Sequence, residues 1–117
     1  MDERRRLGNQ GEDLAAQFLT DLGYKIIDRQ YRTRFGEIDL VAQDGHELVF
    51  VEVKTRTNLE FGHPEEAVHS LKLSRMSAAG DWYLRERKLE SASHRYDVVA
   101  ITWIEGGVPE IVHLKAV

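Results

Sequence analysis

Cysteine is missing from all 117 residues, which excludes disulfide frameworks, thiolate metal sites and cysteine nucleophiles. Any chemistry must come from oxygen, imidazole or amine groups. No apolar run approaches the roughly 20 residues that a bilayer-spanning helix needs. The opening stretch "MDERRRLGNQGEDLAAQFL" also lacks the apolar core of a signal peptide. A cytoplasmic protein without membrane attachment is therefore expected. Nor is positive charge in excess. The formal net charge is −4, which argues against coating nucleic acid by bulk attraction but leaves room for a local basic patch. No repeat, low-complexity tract or Pro/Gly/Ser-rich linker divides the chain. The five histidines show neither His-x-His nor His-Glu-x-x-His spacing, and Ser70, Ser74 and Ser77 lack the partners of a hydrolase triad.

What is present fits one folded domain spanning residues 1–117: 42% hydrophobic and 31% charged residues, at a length that supports one core. Leu7, Leu14, Ala15, Phe18 and Leu22 recur at helical spacing and predict a helix from Glu3 to Leu22, ended by Gly23. Strands are expected at 24–29, 37–43 and 47–55, the last two joined across Asp44-Gly45. His63-Pro64-Glu65-Glu66 reads as the start of a second helix whose buried stripe continues through Val68, Leu71, Ala78, Ala79 and Trp82. Strands at 95–103 and 111–114 follow, with Pro109 marking the last as an edge. The order α-β-β-β-α-β-β implies an α/β fold with one mixed five-stranded sheet flanked by helices.

"GEIDLVAQDGHELVFVEVK", residues 36–54, sets Glu37, Asp39, Glu52 and Lys54 into two strands that otherwise look buried. With Asp44-Gly45 as the central turn residues, Val41 faces Leu48, Asp39 faces Phe50 and Glu37 faces Glu52. Alternation then puts Ile38, Leu40, Ala42, Val49, Val51 and Val53 on one wholly apolar face. The four charged residues share the other face with Val41, Leu48 and Phe50, and the first helix is the natural cover for it. Asp39 and Glu52 become diagonal neighbours, roughly 7 Å apart at the backbone. Spacing alone leaves two readings open. One is a solvated face carrying a weak Glu52–Lys54 pair. The other is a divalent-cation site, because like carboxylates at the margin of a covered face repel unless a cation joins them. Hard oxygen ligands suit Mg²⁺ or Mn²⁺, and a lysine two residues after a ligand shares its face, where it can steer a water.

These residues carry a resemblance that extends through "GNQGEDLAAQFL", "GYKIIDRQYR", "FGHPEEAVHSLKLSRM" and "RYDVVAI". The chain resembles the YraN-type family of bacterial proteins, and through it the restriction-endonuclease-like, or PD-(D/E)XK, nuclease superfamily. The resemblance implies a single restriction-endonuclease-like domain and a metal-dependent endonuclease acting on DNA, including branched, flap or single-stranded forms. It matches Asp39 and Glu52 to the metal-binding carboxylates, Lys54 to the motif lysine and Glu12 to the helix-one acid, an outer or second-metal ligand. Glu37 is a further acid and Lys72 the helix-two lysine. Superfamily nucleases often act in pairs, so a homodimer is within the expectation. The competing class keeps the fold and binds nucleic acid, or serves as a scaffold, without turnover. Departures are few: Ile38 stands in place of proline, Gln30 in place of asparagine and Tyr96 in place of phenylalanine.

"RQYRTRF", residues 29–35, places Arg29, Arg32 and Arg34 with Tyr31 and Phe35 just before Glu37. Such arginines can grip phosphates while Tyr31 or Phe35 stacks on an unpaired base. Equally, they can be surface arginines with the aromatics in the core. Arg56 extends the basic rim beyond Lys54.

Overall fold

The helical stripe of the N-terminal segment folds into α1 (Glu3–Asp21), although Leu22, expected within it, lies just past its end and is 53% exposed. Gly23 stops it with φ of 97°, while the Tyr24 N–H reaches back to the Leu19 carbonyl at 3.0 Å. That is the bond pattern of a glycine-terminated Schellman end. The computed structural model describes residues 3–57, 63–68, 71 and 73–117. Five strands follow α1: β1 (Lys25–Arg32), β2 (Glu37–Asp44), β3 (Glu47–Arg56), β4 (His94–Thr102) and β5 (Glu110–Leu114). They form one sheet in the order β1-β2-β3-β4-β5, antiparallel except for the parallel β3–β4 pair. The crossover between β3 and β4 carries a short 3-10 turn at Pro64–Ala67 and the helix α2 (Leu73–Glu86). The expected α/β architecture and element order are thus observed, with β5 at an edge directly after Pro109. No helix among the described residues is long and apolar enough to cross a membrane.

The hairpin corrects the expected register. Asp44 pairs with Glu47, so Gly45 and His46 are the central residues, and Val41 faces Phe50 rather than Leu48. Gly45 takes φ of 62° at the first central position, where a type II′ hairpin needs glycine. Each partner moves by two residues, so the alternation of faces survives.

The covers of the two faces are exchanged relative to expectation. Ala15 and Leu19 of α1 pack on Leu40, Ala42, Val49, Val51, Val99 and Ile101. The face of Val41, Leu48 and Phe50 is covered instead by Met76, Ala79, Tyr83 and Leu84 of α2. Ile38 joins this second cluster and not Leu40's. A regular strand would put residues 38 and 40 on one face, so alternation breaks at Asp39.

The second helix proper begins at Leu73, nine residues later than Pro64. Its stripe therefore runs through Met76, Ala79, Gly80, Tyr83 and Leu84, and Trp82, expected in the core, is 41% exposed. At its end Lys88 occupies the left-handed position, φ 57°, where α1 has glycine, and the Leu89 N–H reaches the Leu84 carbonyl at 2.7 Å. Lys88→Gly should relieve that conformation and stabilise the fold by roughly 0.5–1 kcal/mol, read as a raised urea midpoint at constant slope. A lowered midpoint would show that the lysine side chain contributes more than its backbone costs.

Candidate functional site

Asp39 lies where the sheet loses its regularity. The β1–β2 pairing passes from Arg29 opposite Leu40 to Tyr31 opposite Ile38 without a Gln30–Asp39 pair. Gln30 takes φ of 52°, a conformation that its surroundings must impose on a non-glycine residue. On the other side, β2–β3 pairing stops at Leu40 opposite Val51. The Val53 N–H donates instead to Asp39 Oδ2 at 2.7 Å, so a side-chain carboxylate takes the place of a ladder carbonyl. One step along the β2–β3 register, Asp39 falls opposite Glu52 and not diagonal to it. The corrected hairpin turn thus brings the two acids closer than the sequence implied.

Burial first, and the Glu52 charge second, push the Asp39 carboxyl up to about 7. The Val53 N–H opposes the rise, while Glu12 and Glu37 add to it. Glu52 is raised as well, by burial, against the pull of Lys54. Lys54 Nζ lies 3.5 Å from Glu52 Oε1. A carboxylate raised in this way holds its charge at a cost, because water has been removed and like charge brought near.

Two clefts meet at Asp39. On the α2 face, a cleft of about 790 Å³ is lined by Arg32, Arg34, Phe35, Glu37, Asp39, Glu52, Lys54 and Arg75. On the α1 face, one of about 540 Å³ is lined by Arg5, Asn9, Glu12, Gln30, Arg32, Glu37, Asp39 and Thr55. Gly11 lets α1 come this close, since a Cβ there would collide with the Thr55 side chain. Glu12 is buried at 8% exposure and accepts from Arg29 Nε at 3.3 Å, Arg29 Nη2 at 3.2 Å and Gln30 Nε2 at 3.4 Å. Glu37 is exposed, with Arg32 Nε 3.6 Å away.

The predicted site residues therefore divide. Asp39, Glu52, Lys54, Glu37, Arg32 and Arg34 share the larger cleft, and Glu12 faces Asp39's other side. Arg29 is committed to Glu12 and to Asp13, 2.5 Å away. Arg56 lines neither cleft and donates to Thr102 Oγ1 at 3.2 Å. Lys72 lies outside the described residues. Tyr31 packs edge-on against Tyr83 and donates to Glu86 at 2.7 Å, so Phe35 is the aromatic that reaches the cleft. Sequence reading missed Arg75, whose place in the first turn of α2 was hidden by the early helix start. It also missed Asp97, fully buried and accepting from His113 Nε2 at 2.7 Å, for which β4 gave no signal beyond an isolated acid.

Among the described residues, no three Asp, Glu or His side chains gather as a ready-made metal cluster. The part that fits a hard dication is the Asp39–Glu52 pair: two oxygen ligands forced together, partly desolvated and open to a cleft.

Comparison with known proteins gives one consistent result. The model of the family described as "Uncharacterised protein family UPF0102" matches residues 11–101. A UPF0102 protein of Geotalea daltonii is 44% identical over 114 residues, covering 97% of this chain and 90% of the relative. One from Pseudarthrobacter chlorophenolicus is 46% identical over 117 residues, covering 100% and 89%. One from Anaeromyxobacter dehalogenans is 50% identical over 116 residues, covering 98% and 85%.

The raised Asp39 carboxyl has a measurable consequence. A folded-state pKa above the ordinary 3.8 contributes stability that is complete below 3.8 and lost as pH rises through about 7. Asp39→Asn removes the charge and keeps an oxygen for the Val53 N–H. In chelator at about pH 8 the variant should be more stable than the parent by on the order of 1–3 kcal/mol, allowing for solvent screening, and the difference should vanish near pH 4. A gain that does not depend on pH would refute the electrostatic account.

Proposed function

The chain belongs to the UPF0102 family, and on that premise we propose that it is a divalent-metal-dependent endonuclease that hydrolyses DNA phosphodiester bonds. One observation carries the reading: the Asp39–Glu52 pair and Lys54 open on a cleft that also holds Arg32, Arg34 and Arg75. The resemblance of the 36–54 hairpin to the PD-(D/E)XK signature supports the same conclusion.

Each side chain has a role that its position supports. Mg²⁺ or Mn²⁺, when bound by Asp39 and Glu52, would supply charge neutralisation at a phosphodiester oxygen and acidify a water. Lys54, 3.5 Å from Glu52, would place its ammonium where it can orient an attacking water and offset the negative charge that builds on a phosphate. Arg32, Arg34 and Arg75 bind the phosphates on either side of the scissile one. Glu37 holds Arg32 toward the cleft. Glu12, neutralised in part by Arg29, adds negative potential at Asp39 from the α1 side and thereby favours a cation there. The substrates that the resemblance implies are flap, branched or single-stranded DNA.

A second reading, a DNA-binding module without turnover, is favoured by the absence of a third gathered ligand among the described residues. Both readings predict binding, and only the first predicts metal-dependent cleavage. Purified protein titrated with Mn²⁺ should cut at least one of flap, branched or single-stranded DNA, and Asp39→Ala or Lys54→Ala should slow cleavage by about 100-fold or more. Calorimetry should show Mn²⁺ binding that Asp39→Asn with Glu52→Gln abolishes. Cleavage that both single variants leave intact, or DNA binding with neither Mn²⁺ uptake nor cleavage, would end the catalytic reading.

A further inference from the structure

Beside the cleft the surface carries two aromatic rings that the core does not use. Phe35 is 42% and Trp82 41% exposed, with ring centres 6.0 Å apart and planes inclined at 55°. Each has a guanidinium against it: Arg34 Cζ lies 5.0 Å from the Phe35 centre and Arg85 Cζ 5.7 Å from that of Trp82. Tyr31 and Tyr83, by contrast, pack against each other, and Phe50 lies inside the sheet.

The Phe35–Trp82 pair is continuous with the site, since Phe35 and Arg34 also line the cleft of Asp39, Glu52 and Lys54. It is also held in place. Thr33 Oγ1 accepts from the Phe35 and Gly36 N–H groups at 3.1 Å each, and the Thr33 N–H donates to the Gly36 carbonyl at 2.8 Å. Gly36 presses so closely on α2 that a Cβ would lie 2.6 Å from the Arg75 carbonyl oxygen. Phe35 is therefore set against α2 by its backbone, at a fixed distance from Trp82.

We propose that Phe35 and Trp82, flanked by Arg34 and Arg85, form a stacking platform for the base of an unpaired nucleotide next to the scissile phosphate. The proposal rests on the nuclease reading of the cleft for the position of that phosphate. Aromatic faces accept any base, and arginines beside them hold the phosphates that connect successive bases. A duplex keeps its bases stacked inside and offers none to the platform, so the subsite makes the cleft select DNA with single-stranded character. Charge argues against a second copy of this chain as the occupant. A twofold contact would bring the patch that carries Arg34 and Arg85 against its own copy, gathering four guanidinium groups at one interface, whereas a polyanion complements them.

Trp82 reports on its own occupancy, because the second tryptophan, Trp103, packs against the α1-face core with its indole N–H buried. In a Trp103→Phe background, with chelator present to prevent turnover, a short oligothymidylate should quench Trp82 emission. An abasic oligomer of the same length and charge should not. Trp82→Ala should weaken oligothymidylate binding about tenfold and abasic binding less than twofold, and Trp82→Phe should restore most of the difference. Equal binding of the two oligomers, or unchanged Trp82 emission at DNA saturation judged by anisotropy, would overturn the proposal. So would a dimer in sedimentation that Trp82→Ala dissolves, which would identify a second copy as the occupant. Failure of the nuclease reading looks different: stacking and quenching persist, but no DNA is cut with Mn²⁺.

Discussion

The hydrogen bond from the Val53 N–H to the Asp39 carboxylate, 2.7 Å long, decides how the central hairpin ends. A backbone carbonyl in that place would continue the β2–β3 ladder and keep the strands at their usual spacing. A side-chain acceptor satisfies the donor while letting the β2 backbone leave the ladder. Regular alternation breaks there, Ile38 turns to the α2 face although Leu40 lies on the α1 face, and a cleft opens on each side. Asp39 is left opposite Glu52 with only part of its solvent. The same bond that ends the β2–β3 ladder therefore creates the acidic pair.

The two ends of the hairpin treat carboxylates in opposite ways. At the turn end Arg95 donates to Asp44 at 3.1 Å, Glu47 at 2.7 Å, Asp97 at 3.1 Å and the Tyr24 hydroxyl at 2.7 Å. Burial alone would raise Asp97, but hydrogen bonds from His113, Arg95 and the Ala116 N–H outweigh it and hold the carboxyl below its ordinary range. Its contribution to stability is present above the unfolded value and lost as acid protonates it. Asp39 has the reverse sign, because the Val53 N–H does not outweigh burial and the charge of Glu52. Charges at the turn end are compensated by the protein itself. At the open end Arg32 pairs with Glu37, Arg29 with Glu12 and Lys54 with Glu52, and burial and like charge still leave the Asp39 carboxyl raised. Two raised carboxyls side by side at the mouth of a cleft mark a site of function more than one of stability.

Periodicity carried most of the fold. The α1 stripe through Ala15, the alternation of the hairpin from Leu40 to the turn and the glycine stop at residue 23 follow from local rules and appear in the structure, whereas Ile38 and Leu22 depart from them. What local rules missed depends on choices between near-equal alternatives. Asp44-Gly45 and Gly45-His46 both place glycine in a two-residue turn, and the choice between them moves Asp39 from diagonal to opposite Glu52. His63-Pro64 looks like a helix start, but the chain makes only one 3-10 turn there and begins α2 at Leu73. That nine-residue delay rotates the buried stripe and brings Trp82 to the surface. The exchange of covers between the sheet faces could not be read at all, since both faces near the turn are apolar. Of the basic residues, Arg32 and Arg34 reach the cleft because they sit where β1 ends. Arg29, five residues before Arg34, is captured by α1, an outcome decided by tertiary packing that no spacing rule contains.

A net charge of −4 does not describe the cleft. The larger cleft sets four cationic side chains, Arg32, Arg34, Lys54 and Arg75, against three carboxylates, Glu37, Asp39 and Glu52. Two of those carboxylates are the raised pair, so a dication between them would leave the cleft strongly positive on an otherwise acidic molecule. On the proposed function, that local excess of positive charge is where a polyanion would be drawn in. On the same proposal, cation and polyanion would help one another: a dication held by Asp39 and Glu52 would offset the negative charge that opposes a phosphate, and the phosphate would supply further oxygen ligands. The sparse ligand set is thus consistent with a centre completed by its substrate, with Asp39 and Glu52 providing the anchor.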